Sequence, residues 1–474
     1  MNVLHAVHTL SGPSEISKEK PPVRRVLVFS IVAMALLMTT VDSTIVATAL
    51  HTLQIELHTT INWIGWTITA YAFGFVLMLP ISGKLSERYG HRQIFLLSII
   101  TFTLVSLCCG LSSNIYILIA LRVIQAVGGA GITPSATGII VDHFGEARDR
   151  AVSFFGSVFP IGGMIGPIFG GLFVTYWTWR GIFFVNVPIG IVVIAMALRY
   201  VPHGHRPKVQ THLHTDILGI VLLGTGVLAG MFAASYMGEQ NADIFSPMFI
   251  VLLILAIVSI TAFFLHIAHV RQPLIAPVLI YGKGFGAVNL INILFVGVTA
   301  GIITLVPLYA TTRYGINALN SGILLVAYGV AAIALSVVAA MMLRRTGYRL
   351  PLYAGSSIII VGTILLAVPQ RWGISPFAWL TISTFLIGVG SGAINPSCRN
   401  AGLQLAPQRS STIAALRSLF LQVGTIVTIA IATAIISESA NSGHAQAWIN
   451  LSAAVIFVFS IPLISRVPEH HGSW

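Results

Sequence analysis

Apolar runs of about twenty residues, broken by short polar stretches, follow one another from residue 26 to residue 465. At 1.5 Å of rise per residue, a helix of about that length spans the hydrocarbon core of a bilayer. The runs predict fourteen membrane helices, near 26–49, 62–82, 94–111, 115–141, 151–176, 181–201, 216–236, 246–269, 286–311, 319–343, 352–368, 376–398, 412–436 and 446–465. The third and eleventh runs are short, and the gap between the third and fourth is tight. The expected fold is all-α and transmembrane.

The pattern also repeats. Arg88-x-Gly90-x-Arg92, after the second run, recurs as Arg345-x-Gly347-x-Arg349 after the tenth. Ile132-Thr-Pro134-Ser135 in the fourth run recurs as Ile394-Asn-Pro396-Ser397 in the twelfth, and at the same offset Gly162 meets Gly424. The order predicts two six-helix bundles, 26–201 and 286–466, with a linker 202–285 carrying the seventh and eighth helices. Residues 1–25 and 467–474 are expected as cytoplasmic tails. Parallel halves of this kind place a substrate cavity at their interface near mid-membrane.

Composition agrees and sets the orientation. Of 474 residues, 56% are hydrophobic and 8% charged, with a mean hydropathy of +0.91; a soluble domain carries about 25% charged residues. The net charge of +12 invites a nucleic-acid partner. The basic residues, however, sit in short loops between apolar runs, which marks topology. With the N-terminus inside, every Lys and Arg except Arg122, Arg180, Arg313 and Arg371 falls on a cytoplasmic segment or its membrane edge. Merging any two runs would destroy that asymmetry. Both termini are therefore expected in the cytoplasm, with the chain crossing the inner (cytoplasmic) membrane many times. The polar start shows no cleavable signal pattern. Cys108, Cys109 and Cys398 read as small packing residues, and His203, His205, His212 and His214 as a solvated loop in preference to metal ligands.

Within the fifth run, Gly162, Gly166 and Gly170 recur every four residues, as do Gly163, Pro167 and Gly171. Two adjoining strips without side chains let another helix backbone come close, which is how helices associate where lipid gives no hydrophobic drive. Pro167 withdraws a backbone donor and bends the helix there. Spacing alone leaves open a static packing groove or a contact between helices that move.

Asp42 is the acidic residue set most clearly inside a run, and Arg122 in the fourth run is the matching cation. A charge at the bilayer centre costs about 2.5–3.5 kcal/mol on insertion scales, so each needs a partner or a purpose. The first helix runs outward and the fourth inward, and each charge lies seven residues from its outer end, about 10 Å deep. Equal depth makes them a candidate pair. One role is a permanent ion pair that fixes helix register. The other, favoured here, is a proton site, because burial raises a carboxyl pKa and a neighbouring arginine lowers it.

Several of these segments resemble the signatures of one family. Gly162-x-x-x-Gly166-Pro167-x-x-Gly170-Gly171 is similar to the fifth-helix antiporter motif of drug exporters in the major facilitator superfamily. Trp179-Arg180-Gly-Ile-Phe183-Phe-Val-Asn186-Val-Pro188-Ile-Gly190 resembles the signature of that superfamily's fourteen-helix drug:proton antiporters. Val41-Asp42-Ser-Thr44-Ile45-Val46 looks like their first-helix motif, from which Ala47 and His51 depart. Arg122-x-x-Gln125 resembles a fourth-helix motif associated with proton transfer, with Ala126 in place of its glycine. Gly83-Lys-Leu85-Ser-Glu87-Arg88-Tyr-Gly90-His-Arg92 resembles the superfamily's loop motif, with Glu87 where aspartate is usual. The resemblance covers nearly the whole chain and implies the major facilitator fold. It implies proton coupling at Asp42 and Arg122. It also implies a cytoplasmic gate of Gly83, Glu87, Arg88, Gly90, Arg92 and Asp142. In that gate Arg88 or Arg92 pairs with Asp142, and Glu87 faces the N-terminus of the thirteenth helix near Thr412, where the helix dipole favours an anion.

Polar groups on bundle-facing helices are the candidate substrate contacts: Gln125, Asn289, Asn292, Asn395, Gln422 and Glu438. Each is equally a candidate for interhelical hydrogen bonding. Trp63 and Trp66 fit the interfacial belt. A single clear membrane carboxylate suits a monovalent cationic or neutral lipophilic substrate. No nucleophile–base or metal-ligand spacing marks an enzyme. The expected function is proton-driven export of lipophilic drugs or toxic compounds by alternating access. Its expected partners are small lipophilic substrates, protons and the bilayer, with no nucleic acid, no cofactor beyond the proton gradient, and a monomeric state. The alternatives are a narrow-range exporter of one antibiotic or metabolite, an uptake symporter, and a receptor or scaffold that moves nothing. The glycine motif disfavours the symporter, and the bundle repeat disfavours the scaffold.

Overall fold

The structure, a computed structural model, describes residues 24–59, 61–202, 216–236, 245–270, 273–316, 318–371, 373–439 and 441–470. The histidine loop and most of the N-terminal tail lie outside these residues. Among the described residues the chain is helical and forms no β-strand. The long helices of the first part are α1 Arg25–Ile45, α2 Ile61–Tyr89, α3 His91–Leu111, α4 Ile115–Phe144, α5 Arg148–Tyr176 and α6 Asn186–Tyr200. Then come α7 Ile217–Tyr236 and α8 Pro247–His269. The last part holds α9 Phe285–Tyr314, α10 Ala318–Thr346, α11 Arg349–Ala367, α12 Pro376–Leu405, α13 Ser410–Glu438 and α14 Ser442–Ser460. Short turns of helix at Val46–Ala49, Leu50–Glu56, Gly181–Phe184 and Pro277–Tyr281 fill the joints.

Twelve helical stretches among the described residues are long and apolar enough to cross a membrane, where the sequence pattern predicts fourteen. The difference arises in two places. Ile115–Gly163 qualifies as one stretch of 49 residues, yet it holds α4 and half of α5, joined at Gly145 with φ +49°. The apolar part of α7, Ile217–Ala233, is shorter than the rest.

Local chemistry sets the helix ends. Asn114 caps α4 by accepting from the Tyr116 and Ile117 amides, at 2.8 and 3.4 Å, and Asn441 caps α14 through the His444 amide at 3.1 Å. Gly90, with φ +99°, turns the chain between α2 and α3, a conformation that costs other residues a clash at Cβ. Pro134 inside α4 has no N–H for the Ala130 carbonyl, and Ser82 of α2 donates to that carbonyl at 3.2 Å.

Helix packing follows the repeat. α1 packs on α5, α2 and α3 on α4, and α3 on α6; likewise α9 packs on α13, α10 and α11 on α12, and α11 on α14. The seam between these groups is made by α2 against α13 and by its counterpart, α5 against α10. Hydrogen bonds across the seam gather on the face that carries the start of α1 and Gly90, hereafter the basic face. There Ser157 meets Ser336 at 2.8 Å, Asn400 donates to Ser153 at 2.9 Å, and Ser411 donates to the Pro134 carbonyl at 2.8 Å.

α7 and α8 pack on each other, and α7 leans on α2 and α13. Asp216 ties this linker together. It accepts from the Gly219 and Leu274 amides, each at 2.8 Å, and meets His266 at 2.6 Å. Burial pushes the Asp216 carboxyl up, but these hydrogen bonds outweigh it and leave the group below the usual carboxylate range. Lys84 of α2 reaches the Pro273 carbonyl, so the linker is fastened next to the basic-face loop.

Candidate functional site

Inside the first group, five helices converge on one carboxylate. Asp42, on α1, is fully buried, and Arg122, on α4, is 1% exposed. Arg122 Nη1 donates to Asp42 Oδ2 at 2.7 Å, so the two charges placed at equal depth by the sequence do meet. The other carboxylate oxygen, Oδ1, accepts from Gln125 Nε2 at 3.0 Å and from Asn186 Nδ2 at 2.8 Å. Gln125 also accepts from Arg122 at 2.6 Å and donates to Ser106 Oγ of α3 at 2.8 Å. Arg122 Nε reaches the Thr67 carbonyl of α2 at 3.3 Å, and its guanidinium lies 4.1 Å from the Tyr71 ring centroid and 5.7 Å from that of Phe183. A buried ion pair repays its desolvation only when the remaining donors and acceptors are satisfied; here Gln125, Asn186, Ser106 and Thr67 do that.

The segment 179–190 shows why each of its marked residues is needed. Trp179 is fully buried and donates through Nε1 to Glu56 at 2.7 Å. Arg180 donates to the Gly110 carbonyl at 3.1 Å and lies over the Trp179 ring at 4.5 Å. These two fix the entry to α6. Asn186 then points at Asp42, and Gly190 sits where a Cβ would collide with Thr103 of α3. Sequence reasoning quoted Asn186 within a motif but gave it no role; its place beside two fixed anchors was the available signal.

The glycine strips of α5 divide. A Cβ on Gly162 would collide with Thr40 of α1, and one on Gly166 with Thr44 of α1, 3.0 Å from the Val41 carbonyl. α1 therefore lies directly on this strip, with contacts two residues before and two after Asp42 and at the carbonyl of Val41 beside it. Gly163 and Gly171 have nothing within 4 Å of an added Cβ. The close contact is thus within the first group, and Gly162 and Gly166 make it while Gly163 and Gly171 do not. Gly170 is buried, and the side chain of Pro167 lies outside the described ones. In the second half Gly424 of α13 likewise rests on Gly297 of α9, in a π-helical segment Asn292–Val298.

On the basic face, the Thr412 amide of α13 donates to Glu87 Oε1 at 2.9 Å, the contact expected of a carboxylate at a helix N-terminus. Gly83 allows it: a Cβ there would lie 3.0 Å from Thr412 Cα and Ala415 Cβ. Asp142 is met by His91 Nε2 at 3.6 Å, not by Arg88 or Arg92 as the sequence suggested. The cause is local. After Gly90 the His91 ring lies across Gly138 of α4, where a Cβ would strike it. His91 Nδ1 also meets Ser86 at 2.9 Å and Ser411 at 3.0 Å, while Arg92 reaches the Leu198 carbonyl at 2.8 Å and Arg88 lies over Tyr89 at 5.3 Å.

The substrate candidates of the second half separate. Asn289 and Asn292 line one small cavity between α9, α12 and α13. Asn395 stands beside it, accepting from Arg417 at 2.6 Å. Gln422 is half-buried on α13. Glu438 ends α13 and its side chain lies outside the described ones. Arg399 and Arg417, which charge counting assigned to the membrane edge, are 7% and 8% exposed and line that same cavity. Among the described residues no group of three or more potential metal ligands occurs, and Cys108, Cys109 and Cys398 are free thiols.

The profile of the Major Facilitator Superfamily matches residues 32–215 and 288–473. The chain is 27% identical over 387 residues to the multidrug transporter protein MdtP of Bacillus subtilis, covering 81% of this chain and 70% of that protein. It is 27% identical over 362 residues to multidrug resistance protein 3 of Bacillus subtilis, covering 76% and 69%. The human organic anion transporter MFSD10 superposes with a TM-score of 0.67 at 14% identity, covering 94% of this chain and 100% of that one. At that identity the likeness is one of fold alone.

Removing either charge of the Asp42–Arg122 pair leaves the other buried and uncompensated, which costs about 3–5 kcal/mol. In a double-mutant cycle read by thermal unfolding in detergent, Arg122→Ala and Asp42→Ala should each destabilise strongly, and the double variant by less than their sum. Additive losses would show that the pair is not one energetic unit. Gly166→Leu should drive α1 off α5, leaving insertion intact but stopping transport; undiminished transport would show that the contact is dispensable.

Proposed function

The chain belongs to the Major Facilitator Superfamily and is a multi-pass membrane transporter; within that class, we propose that it exports lipophilic compounds in exchange for protons. The observation that carries this reading is the buried network of Asp42, Arg122, Gln125 and Asn186. A buried carboxylate needs a positive partner. In the present arrangement Arg122 supplies it. If α1 and α4 shift apart, the charge must be balanced by a proton or by a cation instead, and a proton can enter from one side and leave to the other. The glycine contact of α5 on α1 places the moving surface one residue from that carboxylate.

Alternating access supplies the second half of the mechanism. The seam between the two groups is hydrogen-bonded on the basic face through Glu87, Ser411 and Asn400. These contacts close that side while the proton site is loaded or emptied from the other. Fourteen crossings, with both termini in the cytoplasm of an inner membrane, fit the charge pattern of the loops. α4 and α5 as separate helices, and α7 packed along α8, support that number. Relatives named for multidrug transport and resistance support a drug-like substrate range. The protein acts as a monomer and draws only on the proton gradient.

The test uses inverted vesicles from an efflux-deficient host, energised to an acid interior. Ethidium, Nile red and dansyl-leucine serve as cationic, neutral and anionic probes. At least one probe should accumulate, accumulation should collapse with a protonophore, and Asp42→Asn should abolish it while the protein still inserts. Equal accumulation by Asp42→Asn would overturn the assignment of the proton site.

A further inference from the structure

The second group holds two buried arginines with no carboxylate to balance them among the described residues. Arg417 of α13 donates through Nη2 to Asn395 Oδ1 at 2.6 Å, and its buried Nε has no hydrogen-bond partner. Arg399 of α12 makes one long hydrogen bond, 3.4 Å, to the Val152 carbonyl of α5. Its guanidinium lies over Gly156, where a Cβ would be 3.0 Å from Cζ, and stands 5.9 Å from the ring centroids of Phe155 and Phe159. Among the described residues, no carboxylate lies in salt-bridge range of either head. The acidic residue on the facing turn of α5, Asp149, is engaged with Arg148 at 3.7 Å. Both arginines line one cavity, with Asn289, Asn292 and Cys398 among its other walls.

Two unbalanced guanidinium groups in a low-dielectric site call for an anion. We propose that this cavity binds an anionic group, a carboxylate or sulfonate, of the transported compound. The inference rests on the transport reading above and narrows its substrate class. Asp42 gives no reason to prefer a cationic substrate, because Arg122, Gln125 and Asn186 already occupy its oxygens. Arg399 spans the seam between α12 and α5, so parting of the basic face uncovers its head. With that face closed, the cavity of about 10 Å³ admits no more than a water-sized particle. The anionic group therefore enters from the basic face when it is open, and closure leaves no room for it to remain.

The test compares dansyl-leucine with dansyl-leucine amide, which differ by one charge, binding to the full chain in phosphatidylcholine nanodiscs without a gradient. Dansyl-leucine should bind roughly tenfold tighter or more, the scale of one charge-assisted hydrogen bond. Arg417→Gln should lose that preference while still binding the amide measurably, and Arg417→Lys should keep part of it. Retained amide binding shows that the variant is folded, and the wild-type comparison stands even if it is not. Equal binding of the two probes by the wild type would overturn the proposal, as would a preference that survives in Arg417→Gln, Arg399→Gln. Inorganic phosphate, or phosphatidylglycerol added to the discs, that fills the site without any preference for dansyl-leucine over its amide would also overturn it, by assigning the cavity to a free ion or a lipid headgroup. No step depends on Asp42. Equal binding of the two probes by a wild type that still shows proton-driven efflux defeats this inference alone, and a wild-type preference in a protein that shows no proton-driven efflux defeats the transport reading alone.

Discussion

A charge buried in a membrane protein must be balanced where it stands, and the structure is organised around one such balance. The contact of Asp42 with Arg122 at 2.7 Å draws α1 onto α4. The amides of Gln125 and Asn186 complete the carboxylate's hydrogen bonds and bring in α6, while Ser106 and the Thr67 carbonyl bring in α3 and α2. The two glycines of α5 that seat Thr40 and Thr44 let α1 hold its place on the remaining side. The signature segments of α1, α4, α5 and the entry to α6 each have a physical task in this one assembly, while the segment Gly83–Arg92 works at the seam with α13.

The two halves share a packing plan but not a charge plan. Contacts in the first group have counterparts in the second, down to Gly424 on Gly297 where Gly162 meets Thr40. In the first group the buried cation has its carboxylate; in the second, Arg399 and Arg417 have none within salt-bridge range among the described residues. On the readings proposed above, that asymmetry divides the labour: the first half keeps a self-balanced unit for a proton, and the second a positive cavity for an anionic ligand.

Much of this was legible in the sequence where charge was rare. A lone Asp and a lone Arg in apolar runs identify each other, because few alternatives exist, and helix rise puts them at one depth. The contact of Glu87 with the start of α13 came instead from the resemblance of its loop to a family motif, since charge is not rare in that loop. The gate pairing was not legible, because a positive-φ glycine decides which neighbour faces α4, and His91 takes the place assigned to Arg88 or Arg92. Arg399 and Arg417 were missed because each lies near a helix end, where charge counting credits it to the cytoplasm; only side-chain direction shows that they turn inward. The separation of the two α5 glycine strips likewise depends on which side α1 occupies. The crossing number is hardest to read at α4–α5, where two helices meet at a single glycine.

The most direct measurement of whether Asp42 exchanges a proton as substrate binds is proton release from the purified protein in weakly buffered solution. A pH indicator would follow the addition of whichever probe the vesicle assay selects. Protons should appear on binding to the wild type and not to Asp42→Asn, with binding of the probe itself retained. Undiminished proton release by Asp42→Asn would contradict the central role of this carboxylate and leave its contact with Arg122 as a structural pair alone.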